Sequence, residues 1–276
     1  MVRSGTSFKD VTTLADGVNL YGPKSMDKIR EAANVASFIR KRLVSEAQEG
    51  NSTAELESLA ESLLKEHNCT PLFKGMYGFP YITCMSKNDT IVHGFPDSDK
   101  LKKGDVLSID IGLRHSNGFC ADNARTVIVG GLEGSNHREI VELGKKAFSS
   151  GLEAAVPGNT TTDVGRAIFR DIVQKRVDGD FKKPSVYKIF DKFRGHGIGL
   201  DLHEEPSIPN WGAPGGSTIL QEGMCICIEP VIMYNSSKVL KISTNNVAQY
   251  KTHDGQPSSH YENQVLITKD GPIVIT

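Results

Sequence analysis

Four carboxylates and one imidazole in this 276-residue chain sit where ionised side chains are costly. Asp110, Asp122, Glu229 and Glu262 each lie on a strand-like stretch with apolar or small neighbours. Glu229 follows Met224-Cys225-Ile226-Cys227-Ile228 and shares a face with Cys225 and Cys227, while Glu262 precedes Gln264-Val265-Leu266-Ile267. The imidazole is His196, within Arg194-Gly195-His196-Gly197-Ile198-Gly199. Buried acids neutralise, pair with a base or bind metal, and nearby bases are too few for all four. Taken singly, each residue has an ordinary explanation: a surface acid, a solvated loop histidine, a strand-end carboxylate on a backbone amide. Taken together, they form a hard-to-borderline donor set that suits Mn²⁺, Fe²⁺, Co²⁺ or Zn²⁺ and disfavours a thiolate zinc site. Four acids overcharge one ion. Two ions bridged by two of the carboxylates, ~3.5–4 Å apart, accommodate them and activate a water for hydrolysis. His67, His115, His137, His253 and His260 have no comparable setting and read as surface or structural.

The element that must position the first two acids is Val106–Val129, which reads as a β-hairpin. Leu107, Ile109 and Ile111 alternate with Ser108, Asp110 and Gly112, and Cys120, Asp122 and Ala124 share a face. Pairing Asp110 opposite Asp122 puts the midpoint at Ser116, beside the turn dipeptide Asn117-Gly118. That register holds the carboxylates roughly 5 Å apart, a repulsive pair unless a cation sits between them.

Residues 1–24 are polar and read as an N-terminal extension. A helix is predicted from Ser25 to about Glu49, and a second after the capping box Ser52-Thr53-Ala54-Glu55. Strands are expected near Tyr81–Met85 and Thr90–Val92, followed by His93-Gly94-Phe95-Pro96. A third helix, capped by Asn136 with Glu139, runs to about Val156, and a fourth from about Thr162 to Arg176. Strands close the chain at Met224–Met233, about Lys238–Ile242, Gln264–Thr268 and Pro272–Ile275.

The order repeats. Gly50-Asn51-Ser52-Thr53 corresponds to Gly158-Asn159-Thr160-Thr161, and His93-x-x-Pro96 to His203-x-x-Pro206. Gly104 precedes Asp110 as Gly223 precedes Glu229, and Asp122 then corresponds to Glu262. The expected architecture is α+β: two related halves, about 25–133 and 134–276, with helices outside a shared central sheet and a site drawing acids from both.

Bulk properties narrow the function. The net charge of −1 offers no broad footprint for nucleic acid or an anionic membrane. There is no apolar run of transmembrane length and no signal-peptide pattern. Five cysteines without a CxxC fit a reducing compartment and neither a zinc ribbon nor a disulfide framework, which points to the cytoplasm.

From about Ser25 onward the chain resembles type I methionine aminopeptidases of the pita-bread metallopeptidase family. The resemblance rests on GMYGFPYITCMSKNDTIVHGFPDSDKLKKGDVLSIDIG, GFCADNART, GHGIGLDLHEEP, CICIEP and HYENQV. It implies a central antiparallel curved sheet and removal of initiator methionine by hydrolysis with a metal-activated water. Asp122 and Glu262 would bridge two divalent ions (Co, Mn, Fe(II) or Zn), with Asp110 completing one site and His196 and Glu229 the other. Glu229 would also handle the water's proton. His93 and His203 would contact substrate and stabilise the tetrahedral intermediate. Met76, Phe79, Cys84 and Leu202 would line the substrate side-chain pocket. Implied partners are nascent chains with a small second residue, with the ribosome as a possible neighbour, and the implied state is a monomer.

Four departures from the family pattern stand out: Ala121 for glycine, Met76 for tyrosine, Leu202 for phenylalanine, and no tryptophan near Ala248. The Asp110–Asp122 interval is also one residue longer than in many relatives. Two alternatives are an Xaa-Pro aminopeptidase or dipeptidase of the same fold, and a non-catalytic pita-bread binding protein. The short segment before the first helix disfavours the former, and the complete ligand set the latter. The brief Pro206–Glu229 interval leaves no room for a type II insertion.

Overall fold

The computed structural model describes residues 10–174, 185–212, 217–244 and 247–276. The first half contains β1 (Val11–Thr13), β2 (Asn19–Tyr21), α1 (Pro23–Glu46), α2 (Thr53–Glu66), β3 (Cys69–Pro71), β4 (Thr83–Lys87), β5 (Thr90–Val92), β6 (Val106–His115) and β7 (Cys120–Ile128). The second contains α3 (Arg138–Ala154), α4 (Thr161–Gln174), β8 (Tyr187–Ile189), β9 (Gly195–Gly197), β10 (Glu204–Ile208), β11 (Cys225–Ile228) and β12 (Val231–Tyr234). It closes with β13 (Val239–Thr244), β14 (Val247–Thr252), β15 (Ser258–His260), β16 (Asn263–Thr268) and β17 (Gly271–Val274). All described strand pairs are antiparallel.

Period-2 patterning on the long strands explains the layers. Leu107, Ile109, Ile111 and Leu113 of β6 join Ile29, Ala33, Leu43, Leu56 and Leu64 of α1 and α2 in one core. In the second half Ile226, Ile228, Val265 and Ile267 join Ile140, Leu143, Val164 and Ile168 of α3 and α4 in another. The opposite faces of β6 and β11 carry Asp110 and Cys227. Burying a Leu or Ile side chain contributes ~1.5–3 kcal/mol, so each sheet face toward its helices is strongly specified.

The repeat recurs in the hydrogen bonds. Gly50 N donates to Leu101 O, and Leu101 N to Asn51 O; Gly158 N donates to Leu220 O, and Leu220 N to Asn159 O. Ser52 and Glu55 form the expected capping box on α2, and Thr160 and Asp163 exchange equivalent bonds at α4. The sheets meet where Ala124 and Glu262 exchange backbone hydrogen bonds of 3.3 and 3.0 Å.

Several expectations need correction. Asp110 pairs with Ala124 and Asp122 with Gly112, so the acids are diagonal rather than opposite. The register is continuous, with no bulge, from Val106↔Ile128 to Arg114↔Cys120. The turn takes three residues, Ser116-Asn117-Gly118. Gly118 sits at φ 97° and donates to His115 O, and His115 N donates to Phe119 O. A two-residue change in pairing keeps both acids on one face, so the site survives the error.

The expected strand Met224–Met233 is two strands broken at Glu229-Pro230, because proline cannot donate to the ladder. Helix α3 begins after His137, with no side-chain cap from Asn136, and Glu139 instead accepts from Tyr187 Oη at 3.0 Å. The expected end of α4 at Arg176 lies outside the described residues. So do residues 1–9 of the expected extension. The rest of that segment forms the β1–β2 hairpin and places Val18 and Tyr21 in the core. Asp10 accepts from Ser25 N and Oγ at 2.9 and 2.6 Å, supplying the start of α1 with a cap from outside the helix.

Candidate active site

Asp110, Asp122, His196, Glu229 and Glu262, proposed from both halves of the sequence, line one cleft of about 390 Å³. His93, His203, Met76, Phe79 and Cys84 line it as well. Leu202 does not: it is buried in the core that carries α1 and α2, because the turn after Gly199 directs it inward.

The first cluster joins Asp110, Asp122 and Glu262, whose carboxylate oxygens lie within 4.8 Å of one another. Strand pairing aligns Asp110 and Asp122, and the Ala124–Glu262 bridge brings Glu262 onto the same face. Small residues stand opposite both aspartates, Ala124 across from Asp110 and Gly112 across from Asp122. Gly112 also admits Phe73, whose Cε1 would lie 2.6 Å from a Cβ added there.

The second cluster joins His196, Cys227 and Glu262. The glycines around His196 allow its strand to lie tightly between its neighbours. A Cβ at Gly195 would lie 2.1 Å from Cys227 O, and one at Gly197 2.2 Å from Glu205 O. His196 is therefore a buried strand residue rather than a solvated loop histidine. Its Nδ1–H donates to Gly197 O at 2.9 Å, which leaves the Nε2 lone pair toward the cleft. Glu229 enters from the side, with Oε1 3.6 Å from His196 Nε2. Asn210 Nδ2 donates to Glu229 O at 3.1 Å and anchors the break where the carboxylate is presented.

The charges demand compensation. Burial first, then neighbouring carboxylates, raise Asp110, Asp122 and Glu262 well above the usual carboxylate range. Burial also raises Glu229 and pushes His196 down to about 3. Two like charges 4–5 Å apart repel by ~3–4 kcal/mol at an effective dielectric of ~20. Three mutually close, ionised acids would therefore cost ~10 kcal/mol, comparable to the stability of a whole domain. Asp110 Oδ1, Asp122 Oδ1 and Glu262 Oε1 are buried without hydrogen-bond partners. Orphaned anionic oxygens beside an imidazole lone pair fit divalent cations in both number and hardness.

The remaining cleft is aromatic and apolar. Phe79, Cys84 and Val247 form a small separate core with Phe73, Tyr81 and Phe95 packed against it. His93, at φ 60°, donates Nδ1–H to Ala248 O at 3.2 Å and packs edge-on against Phe193. His203 packs edge-on against His196, ring centroids 4.5 Å apart. Burial lowers the pKa of both His93 and His203.

One residue read from the sequence as surface or structural is neither exposed nor remote. His260 is buried in the cleft, 3.6 Å from Glu229 Oε2. The signal was its spacing from Glu262, since residues two apart on a strand share a face. Phe73, Phe193, Val247 and Tyr250 of the lining had no local signal and are assembled only by the fold.

Residues 27–269 match metallopeptidase family M24. The chain is 35% identical over 257 residues to a methionine aminopeptidase of Clostridium perfringens, covering 93% of this chain and 98% of that one. It is 33% identical over 254 residues to methionine aminopeptidase 1 of Bacillus subtilis, covering 92% and 97%. Among solved structures, methionine aminopeptidase from Rickettsia prowazekii superposes with a TM-score of 0.84 at 27% identity, covering 94% and 99%. A prolidase from Pyrococcus horikoshii shares the fold at a TM-score of 0.70 and 23% identity, but this chain covers only 63% of it. The architecture is the α+β pita-bread fold, and agreement over nearly the whole chain makes this protein a member of metallopeptidase family M24.

Proposed function

We propose that this protein removes the N-terminal methionine from newly made chains. The observation that carries the reading is the convergence of four buried carboxylates and the His196 imidazole in a cleft with an apolar pocket at its side. Full-length similarity to methionine aminopeptidases selects this substrate over Xaa-Pro peptides.

Asp110, Asp122 and Glu262 would hold one divalent ion. His196 and Glu229 would hold a second, together with Asp122 and Glu262, which both ions would share. Two bound ions of the Mn²⁺, Fe²⁺, Co²⁺ or Zn²⁺ class supply Lewis acidity that polarises a carbonyl and acidifies water. The chain's own groups do the rest. Glu229, its basicity raised by burial, takes the proton of the attacking water and returns it to the leaving amine. His93 spends its Nδ1–H on Ala248, so its Nε2 accepts an N–H from the peptide. His203 donates to the developing oxyanion. Met76, Phe79 and Cys84 receive the methionine side chain, and small second residues are preferred.

The proposal includes a cytoplasmic monomer acting near the ribosome. Five buried free thiols fit a reducing compartment. No helix among the described residues is long and apolar enough to cross a membrane.

The test is release of methionine from Met-Ala-Ser and Met-Leu-Ser peptides by metal-free protein reloaded with each ion. The expected result is metal-dependent release, faster from Met-Ala-Ser. No release with any of the four ions, or faster cleavage of Xaa-Pro peptides, would overturn the proposal.

A further inference from the structure

The five proposed ligands leave a sixth donor in the same cleft unassigned. His260 is 5% exposed, and its Nε2 has no hydrogen-bond partner. That nitrogen stands 3.6 Å from Glu229 Oε2 and 3.9 Å from Glu262 Oε2, beyond hydrogen-bond range of either. A buried polar nitrogen facing two acceptors across such gaps is costly unless something fills the space.

The ring is not free to move away. His260 N donates to Thr126 Oγ1 at 2.7 Å, and Thr126 Oγ1 donates to His260 O at 2.9 Å. Pairing of β15 with β12 places His260 across from Val231, two residues beyond Glu229. Its backbone is thus pinned to both halves of the molecule. The distances fit a coordinating role. Donors bound to one first-row ion at ~2.0–2.2 Å stand ~3 Å apart when adjacent in an octahedron and ~4.2 Å apart when opposed. Both His260 separations fall between those limits.

We propose that His260 Nε2 is a ligand of the divalent ion held by His196, Glu229 and Glu262, giving that position two imidazoles. The inference rests on the metal reading above and deepens it. The two positions then differ in kind. The Asp110 side is all oxygen and suits Mn²⁺, whereas the His196–His260 side favours Co²⁺ or Zn²⁺ and fills first.

The experiment uses the full chain, stripped of metal and given one equivalent of Zn²⁺ or Co²⁺. X-ray absorption counts imidazoles per bound ion, and competition with a chromophoric chelator gives the affinity. The wild type is expected to show two imidazoles. His260→Gln and His196→Gln should each show one, and His260→Gln should bind Zn²⁺ about 10–100-fold more weakly with a smaller change for Mn²⁺. One imidazole in the wild type overturns the assignment without reference to any variant. An unchanged imidazole count in folded His260→Gln also overturns it, and reduces His260 to a residue that packs beside the acids. A wild-type chain that binds no ion fails the metal reading itself, an outcome distinct from binding with a single imidazole.

Discussion

The two halves of the molecule start their second helices alike and deliver their functional groups differently. In the first half, β6 runs ten residues without interruption and turns directly into β7. It contributes two carboxylates, Asp110 and Asp122, fixed by strand register alone. In the second half the equivalent strand breaks at Glu229-Pro230, and its partner β16, which Glu262 immediately precedes, returns after a long excursion. That half contributes two carboxylates and the imidazoles of His196, His203 and His260. A continuous hairpin holds like charges rigidly together. A broken strand with tight glycine packing brings nitrogen donors among them. The difference creates an asymmetric site from a repeated fold, in which the first half brings two carboxylates and the His93 imidazole and the second brings two carboxylates and three imidazoles.

The largest expected effect comes from removing the acid that joins both clusters. Glu262→Ala should cut peptide hydrolysis by on the order of 10³-fold or more, since loss of Lewis-acid stabilisation removes several kcal/mol from the transition state. Metal content by mass spectrometry should fall at both positions. Retention of two ions with normal activity would refute sharing between the halves.

Glycine packing is the next point of contrast. At Gly197 a new Cβ meets backbone, Glu205 O at 2.2 Å, whereas at Gly112 it meets the movable ring of Phe73. Gly197→Ala should cost ~3 kcal/mol and Gly112→Ala ~1 kcal/mol or less, read by urea unfolding. Equal costs would show that β9 is not more tightly constrained than β6.

The acidic half also predicts a pH effect in the metal-free protein. Asp110 is held protonated above its unfolded value, so its folded state retains a proton that the unfolded chain releases. That contribution is present in full below an unfolded pKa of ~4 and is lost as pH rises toward the raised folded value. Asp110→Asn removes this loss. Its thermal midpoint should exceed that of the metal-free wild type by more at pH ~8 than at pH ~5. A gap that narrows with rising pH would contradict the burial of this acid. Excess divalent ion should reverse the ranking, because only the wild type retains the full donor set.

The smallest effect tests what the halves share. Ser52→Ala and Thr160→Ala should each cost ~1 kcal/mol in denaturant unfolding through loss of a helix cap. A large disparity would mean that the matching hydrogen bonds at α2 and α4 do not carry matching energies.

Much of this protein is written in local chemistry. Alternation in Leu107–Gly112 is enough to separate a helix-facing side from an acid-bearing side, because period 2 is a property of the strand itself. The capping box at Ser52 needs only four consecutive residues. The buried character of the four acids is legible from their apolar neighbours, and their common purpose from the internal repeat. Where the reading failed, the deciding partner was distant or the alternatives were locally equivalent. Asn117-Gly118 marks a turn but does not decide whether the loop centres on Ser116 or on Asn117, and that one-residue difference in midpoint moves the partner of Asp110 by two. Leu202 and His260 exchanged roles, one going to the core and the other to the cleft, because backbone path rather than residue type decides burial. Residue types and periodicity thus decided which groups could bind metal and on which strands they lie. Only the tertiary structure decided how the two pairs of acids approach each other and the arrival of His260 beside Glu229. Bringing the acids of the two halves together depends on contacts between residues more than a hundred positions apart, such as the Ala124–Glu262 bridge.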